Sequence, residues 1–124
     1  MPTQEITRDE WATFFDGFSL QHQEWLVTVE ALGAEIGAQV EARELPLQGV
    51  TADLKGDGKD SISIMVGKSP EEHVTHTINA PTHVRLKKNE EGADEALEIE
   101  SASGITTLVR FRSAVPPEMV DSIL

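Results

Sequence analysis

The chain has 124 residues, 39% of them hydrophobic and 26% charged, which fits one ordinary globular domain and excludes wholesale disorder. Its formal charge is −12, from 22 acidic against 10 basic residues, so nucleic acid and anionic membrane surfaces are repelled and neither is expected as a partner. It contains no cysteine, which removes disulfides, thiolate metal sites and cysteine nucleophiles together.

The N-terminus "MPTQEITRDEW" lacks a basic start followed by an apolar run, and no apolar run approaches the ~18 residues that span a bilayer. With the missing cysteines, this gives a cytoplasmic expectation.

The first predicted element is a helix. Thr7 and Glu10 in "TRDE" have the spacing of a capping box, and Ile6 and Trp11 that of a hydrophobic staple. Trp11, Phe14, Phe15 and Phe18 follow at i, i+3, i+4 and i+7, one face of a helix that fades near Leu20. Large aromatics at this spacing are read as core, laid over a sheet.

Beyond Gln23 the period falls to two. "EWLVTVEAL" puts Trp25, Val27 and Val29 on one face, and "IGAQVEA" groups Ile36, Ala38 and Val40. In "ELPLQGVTADL" the apolar phase slips at Gly49, so a bulge there returns Leu45, Leu47, Val50, Ala52 and Leu54 to one core. "KGDG" is a turn, and "DSISIMVG" sends Ile62, Ile64 and Val66 inward.

"HVTHTI" and "HVRLKK" are the next strands, and a loop at Asn79–Ala80–Pro81 would pair them as a hairpin with His76 facing Val84. The last hairpin turns through Ala102–Ser103–Gly104, with Gly104 left-handed and Ser101 opposite Ile105. Leu97 then faces Val109, Ile99 faces Thr107 and Ala96 faces Arg110; a two-residue loop would mix the faces. "VPPEMVDSIL" reads as a short C-terminal helix.

The expected fold is mainly β within the α+β class. It is a strongly bent antiparallel sheet or small barrel of seven to eight strands, with an aromatic N-terminal helix packed on it and a short C-terminal helix. Residues 1–124 form a single domain.

Chemistry-bearing residues are few. In "HVTHTINAPTH" strand alternation sends His73 and His76 to opposite faces, with His76 between Val74 and Ile78 on the apolar one. His73 and His83 come out four strand positions apart, roughly 13 Å at the usual rise, too far to share an ion. No metal and no cofactor are expected. Asp53, Asp57 and Asp60 lack the alternation and closing glutamate of a calcium loop. No G-x-S-x-G elbow, G-x-G-x-x-G or phosphate loop occurs, and no catalytic residue is assigned. Arg85, Lys87, Lys88, Arg110 and Arg112 fall on outward faces of late strands. They form either a positive patch for a partner or ligand, or cross-strand partners of Asp94, Glu98 and Glu100.

The stretches "TRDEWATFF", "WLVTVE", "LPLQGV", "HVTHTINAP", "ALEIES", "TTLVRFRS" and "PPEMVD" span nearly the whole chain. Through them it resembles a family of small bacterial proteins catalogued as a domain of unknown function. The resemblance implies a bacterial, cytoplasmic setting and brings no activity.

Two functional expectations follow. The first is a non-enzymatic acidic interaction module that binds a protein partner or forms a homo-oligomer, with His76, His73, His83, Arg85, Lys87, Arg110 and Arg112 as candidate surface. The alternative is a small-ligand or metal-dependent protein, conceivably an enzyme, using the region from His73 to His83.

Overall fold

A computed structural model describes residues 3–56 and 59–111. The order is β1 (Thr3–Ile6), a 3-10 turn (Arg8–Glu10), α1 (Trp11–His22), β2 (Leu26–Gly33), β3 (Gly37–Asp53) and β4 (Ser61–Gly67). A second 3-10 turn (Pro70–Glu72) leads to β5 (His73–Asn79), β6 (Pro81–Lys88), β7 (Asp94–Ser101) and β8 (Thr106–Phe111). The expected C-terminal helix and Arg112 lie outside the described residues.

All eight strands join one antiparallel sheet in the order β1-β6-β7-β8-β2-β3-β4-β5. Its end strands β1 and β5 are not hydrogen-bonded to each other, so the sheet is bent and open. The bend is built into β3. Its first part pairs with β2 as far as Pro46↔Leu26, its second with β4 from Leu47↔Val66, and the register shifts between Leu47 and Gly49. The phase slip at Gly49 has the expected effect: Leu47 and Val50 are both buried in the common core, with Leu45, Ala52 and Leu54 packed against it.

α1 fills the concave side. Trp11, Phe15, Phe18 and His22, at i, i+4, i+7 and i+11, are its buried residues. Burying each large aromatic contributes about 1.5–3 kcal/mol. Trp11 Nε1 donates to the Ile6 carbonyl (2.9 Å) and both side chains enter the core, fixing the chain's entry into the helix. Ser19 joins α1 to the bend. Its Oγ accepts from the Val50 N–H (2.9 Å) and donates to the Val50 carbonyl (3.1 Å), where β3 has left its pairing with β2.

Four local expectations are corrected. Thr7 does not close a capping box on the backbone: the 3-10 turn commits the Glu10 N–H to the Thr7 carbonyl (2.9 Å), and Thr7 Oγ1 meets Glu10 Oε1 instead (3.1 Å). The helix runs two residues past Leu20, to His22. Ala38 and Val40 lie on β3 and Ile36 in the turn before it, and all three are exposed, because the tip of the β2–β3 hairpin extends beyond the core.

The fourth correction matters most for the candidate site. β5 and β6 do not form a hairpin: β5 pairs with β4, setting His76 opposite Ile64, and β6 pairs with β7 and β1, setting Val84 opposite Ile99 and Ile6. Ala80 makes the change of partner. It adopts φ +52, donates its N–H to the Asp60 carbonyl before β4, and accepts from the Ala102 N–H after β7, both at 2.9 Å. A single corner residue reverses no strand, so the chain crosses from one arm of the bent sheet to the other.

The final hairpin follows the expected register. Leu97 faces Val109, Ile99 faces Thr107, Ala96 faces Arg110, and Gly104 is left-handed at φ +92 with the Ser101 N–H donating to Ile105.

Candidate functional site

The basic residues come first, because charge is the long-range signal. Lys87, Ala96 and Arg110 are laterally aligned across β6, β7 and β8, so Arg85, Lys87 and Arg110 share one face of the sheet. Carboxylates occupy the same face. Arg85 reaches Glu100 (3.1 Å), Glu98 (3.2 Å) and Glu5 (3.4 Å), Lys87 reaches Glu98 (3.6 Å), and Arg110 Nε lies 2.7 Å from Glu30 Oε1. That last contact is close but not aligned as a hydrogen bond.

The Glu100 hydrogen bond is the chief cause that raises the Arg85 pKa, with Glu5 and Glu98 adding charge. A cross-strand charge ladder therefore describes this face better than a positive patch does. Lys87 and Arg110 also line a depression of about 170 Å3, below the ~300 Å3 at which small-molecule pockets begin.

The three histidines of "HVTHTINAPTH" diverge. His83, on β6, approaches Glu5 of β1 through Nδ1 at 2.7 Å, and this hydrogen bond is the main cause lowering the Glu5 pKa. His76 is half-buried on the inward face of β5, and His73 starts that strand on the outward one. β5 ends one side of the strand order while β6 lies near the other end. Among the described residues no three His, Asp or Glu side chains converge as a metal site. Asp60, weighed for calcium, accepts from Arg8 Nε (2.7 Å) and Nη2 (3.2 Å) and from the Gly56 N–H (2.7 Å).

The polar cluster that sequence reasoning missed is built on His22, 1% exposed. Its Nδ1 lies 2.9 Å from the Phe18 carbonyl, which can only accept, so Nδ1 carries a hydrogen. Its Nε2 lies 2.9 Å from Asp94 Oδ2, at ion-pair distance though off the line of a good hydrogen bond. Asp94 Oδ1 in turn meets Lys88 Nζ at 2.8 Å. Phe18, Trp25 and Phe111 enclose the imidazole at ring-centroid distances of 4.4, 4.7 and 4.7 Å.

A carbonyl, imidazole, carboxylate and ammonium in series resemble part of a catalytic relay. Here both ring nitrogens face protein groups and the ring is sealed from solvent, so no nitrogen is left to take a proton from a nucleophile. The cluster ties the last turn of α1 to the start of β7. Its signal in the sequence was the i+4 spacing from Phe18, which continues the aromatic stripe one turn past the expected helix end.

One surface remains. Among the described residues β5 is an end strand that pairs only with β4, and its seven residues contain no Lys, Arg, Asp or Glu in a chain of net charge −12. The Ala80 N–H to Asp60 carbonyl bond fixes the phase of this ladder: with Asp60 opposite Ala80, residues Ile78, His76 and Val74 also exchange bonds with β4. The N–H and C=O groups of Thr75 and Thr77 then point away from the sheet. Both threonines are exposed, and Val74, on the inward face, is 49% exposed.

Fold and surface together define a small, acidic, open antiparallel β-sheet protein with a helix in its concavity and, among the described residues, one end strand without charged side chains. Residues 2–119 match the model of a family of unknown function, DUF5335, and the chain belongs to that family. It is 28% identical over 116 residues to an uncharacterised protein of Aquifex aeolicus (strain VF5), covering 94% of this chain and 97% of that protein. No solved structure matches. Neither the family nor this relative carries an assigned activity. Among the described residues no helix is long and apolar enough to cross a membrane.

Proposed function

We propose that this chain is a non-enzymatic interaction module that engages protein through the exposed edge of β5. The observation that carries the reading is the condition of that edge. Natural sheets blunt their edges with charge, proline, bulges or short strands, because unpaired N–H and C=O groups template pairing with another chain. β5 has none of these: it is seven residues long, regular in register and uncharged, and four of its residues are β-branched.

The opposite end contrasts with it. β1 has four residues, and its Glu5 is engaged by His83 and Arg85. A chain that protects one edge and leaves the other bare suits strand addition.

The charge ladder around Arg85 and the sealing of His22 draw support away from an anionic-ligand surface and from an enzyme. The partner is protein, either a different chain or a second copy, and neither nucleic acid nor membrane. The cysteine-free sequence and the bacterial relative favour a bacterial cytoplasmic setting.

Thr75→Pro tests the reading. The Thr75 N–H points away from β4, so proline there leaves the β4–β5 ladder intact while removing an edge donor. A protein captured on the immobilised full chain and then purified should bind the native form and not Thr75→Pro in titration calorimetry. Equal binding to both forms contradicts the proposal.

A further inference from the structure

The five residues at the middle of the bare edge, Val74-Thr75-His76-Thr77-Ile78, read almost the same in both directions. Threonine flanks His76 on each side, and a β-branched aliphatic flanks each threonine. We infer that the occupant of the β5 edge is a second copy of this chain, paired antiparallel about a two-fold axis through His76. The inference rests on the interaction reading above and names its partner.

The register agrees with the hydrogen-bond phase and is singled out by the side chains. A two-fold axis at His76 sets Thr75 opposite Thr77 of the second copy, and Thr77 opposite its Thr75. These are the residues whose N–H and C=O groups point outward, so each pair exchanges both backbone bonds. His76 falls opposite His76 of the second copy in a non-hydrogen-bonded pair, where side chains approach most closely.

Val74 then faces the second copy's Ile78 on the inward side, covering a valine that is 49% exposed in the single chain. On the outward side threonine meets threonine, next to the existing contact between Ser63 Oγ and Thr77 Oγ1 at 3.3 Å. An axis midway between two residues would set an outward-pointing residue opposite one whose backbone groups are committed to β4. The phase therefore requires an axis that passes through a residue, and of these only His76 matches the side chains pair by pair.

Charge fits the same occupant. Two copies at −12 repel at long range, but the strands that meet carry no carboxylate, so the repulsion is screened by salt while the contact is not. The pairing is isologous and closes on itself, and among the described strands it leaves the short β1 edges outside.

Self-opposition at residue 76 gives a test that another mode of association would not imitate. Sedimentation equilibrium is run on the full chain, His76→Lys, His76→Glu, an equimolar mixture of the two variants, and Thr75→Pro, each checked for folding by circular dichroism. The full chain is expected to dimerise more tightly as salt is raised. Each His76 variant sets like charges across the axis and should weaken the dimer about tenfold or more. The mixture, which sets lysine opposite glutamate, should restore it, and Thr75→Pro should abolish it.

A full chain that stays monomeric at every concentration overturns the second copy as occupant. The interaction reading is then judged separately, by the comparison of the full chain with Thr75→Pro against a captured protein. A dimer that survives all three substitutions overturns the edge as its interface. Variants that lose the dimer singly but fail to recover it when mixed overturn the axis at His76. Should Thr75→Pro not fold, the mixing experiment still decides.

Discussion

His22 Nε2 lies 2.9 Å from Asp94 Oδ2, with the imidazole sealed in the core and the carboxylate at its margin, so the polar link between α1 and β7 is a largely buried one. Removing one partner leaves the other with little access to water. His22→Ala is therefore expected to destabilise the fold by about 3–5 kcal/mol, with Asp94 left to Lys88 alone. Asp94→Asn keeps a polar group of the same shape facing Nε2 and should cost clearly less. Urea unfolding of both, with the double substitution falling short of the sum of the singles, checks the coupling.

Ser19 satisfies both backbone groups of Val50 where β3 leaves its pairing with β2. Ser19→Ala strands an N–H and a C=O beside the bend, and about 1–3 kcal/mol of stability should be lost, read as a lower urea midpoint. A loss below ~0.5 kcal/mol would mean that water replaces the hydroxyl there.

Much of the fold was legible in the sequence. Strand alternation fixed which side chains turn inward, and Gly104 with Ser101 and Ile105 fixed the last hairpin. The phase slip at Gly49 located the bend. What failed depends on long-range pairing, which local pattern does not encode. Asn79–Ala80–Pro81 looks like a hairpin loop, yet Ala80 bonds to Asp60 on one side and Ala102 on the other, groups 20 and 22 residues away in sequence.

The candidate surface was legible in part. "HVTHTIN" drew notice for its histidines, whereas the outward-pointing backbone groups of Thr75 and Thr77 are a property of strand order. His22 went unread because a lone histidine beyond the expected helix end gave no sign that a carboxylate from β7 would meet it.

The Arg8 hydrogen bonds, followed by the Gly56 N–H, hold the Asp60 carboxyl at about 2. The folded value lies below the ordinary ~3.9, so this contribution is fully present above about pH 4 and is lost as pH falls through about 2. Arg8→Met removes the larger cause. The stability gap between native and variant chains should be widest above pH ~4 and close towards pH 2, measured by urea midpoints across that range. A gap that ignores pH would contradict the assignment.

Gly67 sits at φ +145 at the end of β4, where an added Cβ would lie 2.5 Å from His73 Cα. Backbone cannot yield as a flexible side chain would, so Gly67→Ala should displace the start of β5. We expect a loss of about 1–3 kcal/mol or more, and new amide shifts concentrated at residues 73–76 in an NMR spectrum. Shifts confined to Gly67 and its chain neighbours would contradict that account of how β5 is seated.

The central claim is that the outward-pointing groups of Thr75 and Thr77 are covered by another copy of β5. Backbone amide exchange at these two residues, followed in dilute and in concentrated protein, tests it most directly. Their protection should rise with concentration while His76 and Ile78, bonded to β4, stay protected throughout. Thr75 and Thr77 amides that exchange at the same fast rate at both concentrations would contradict it.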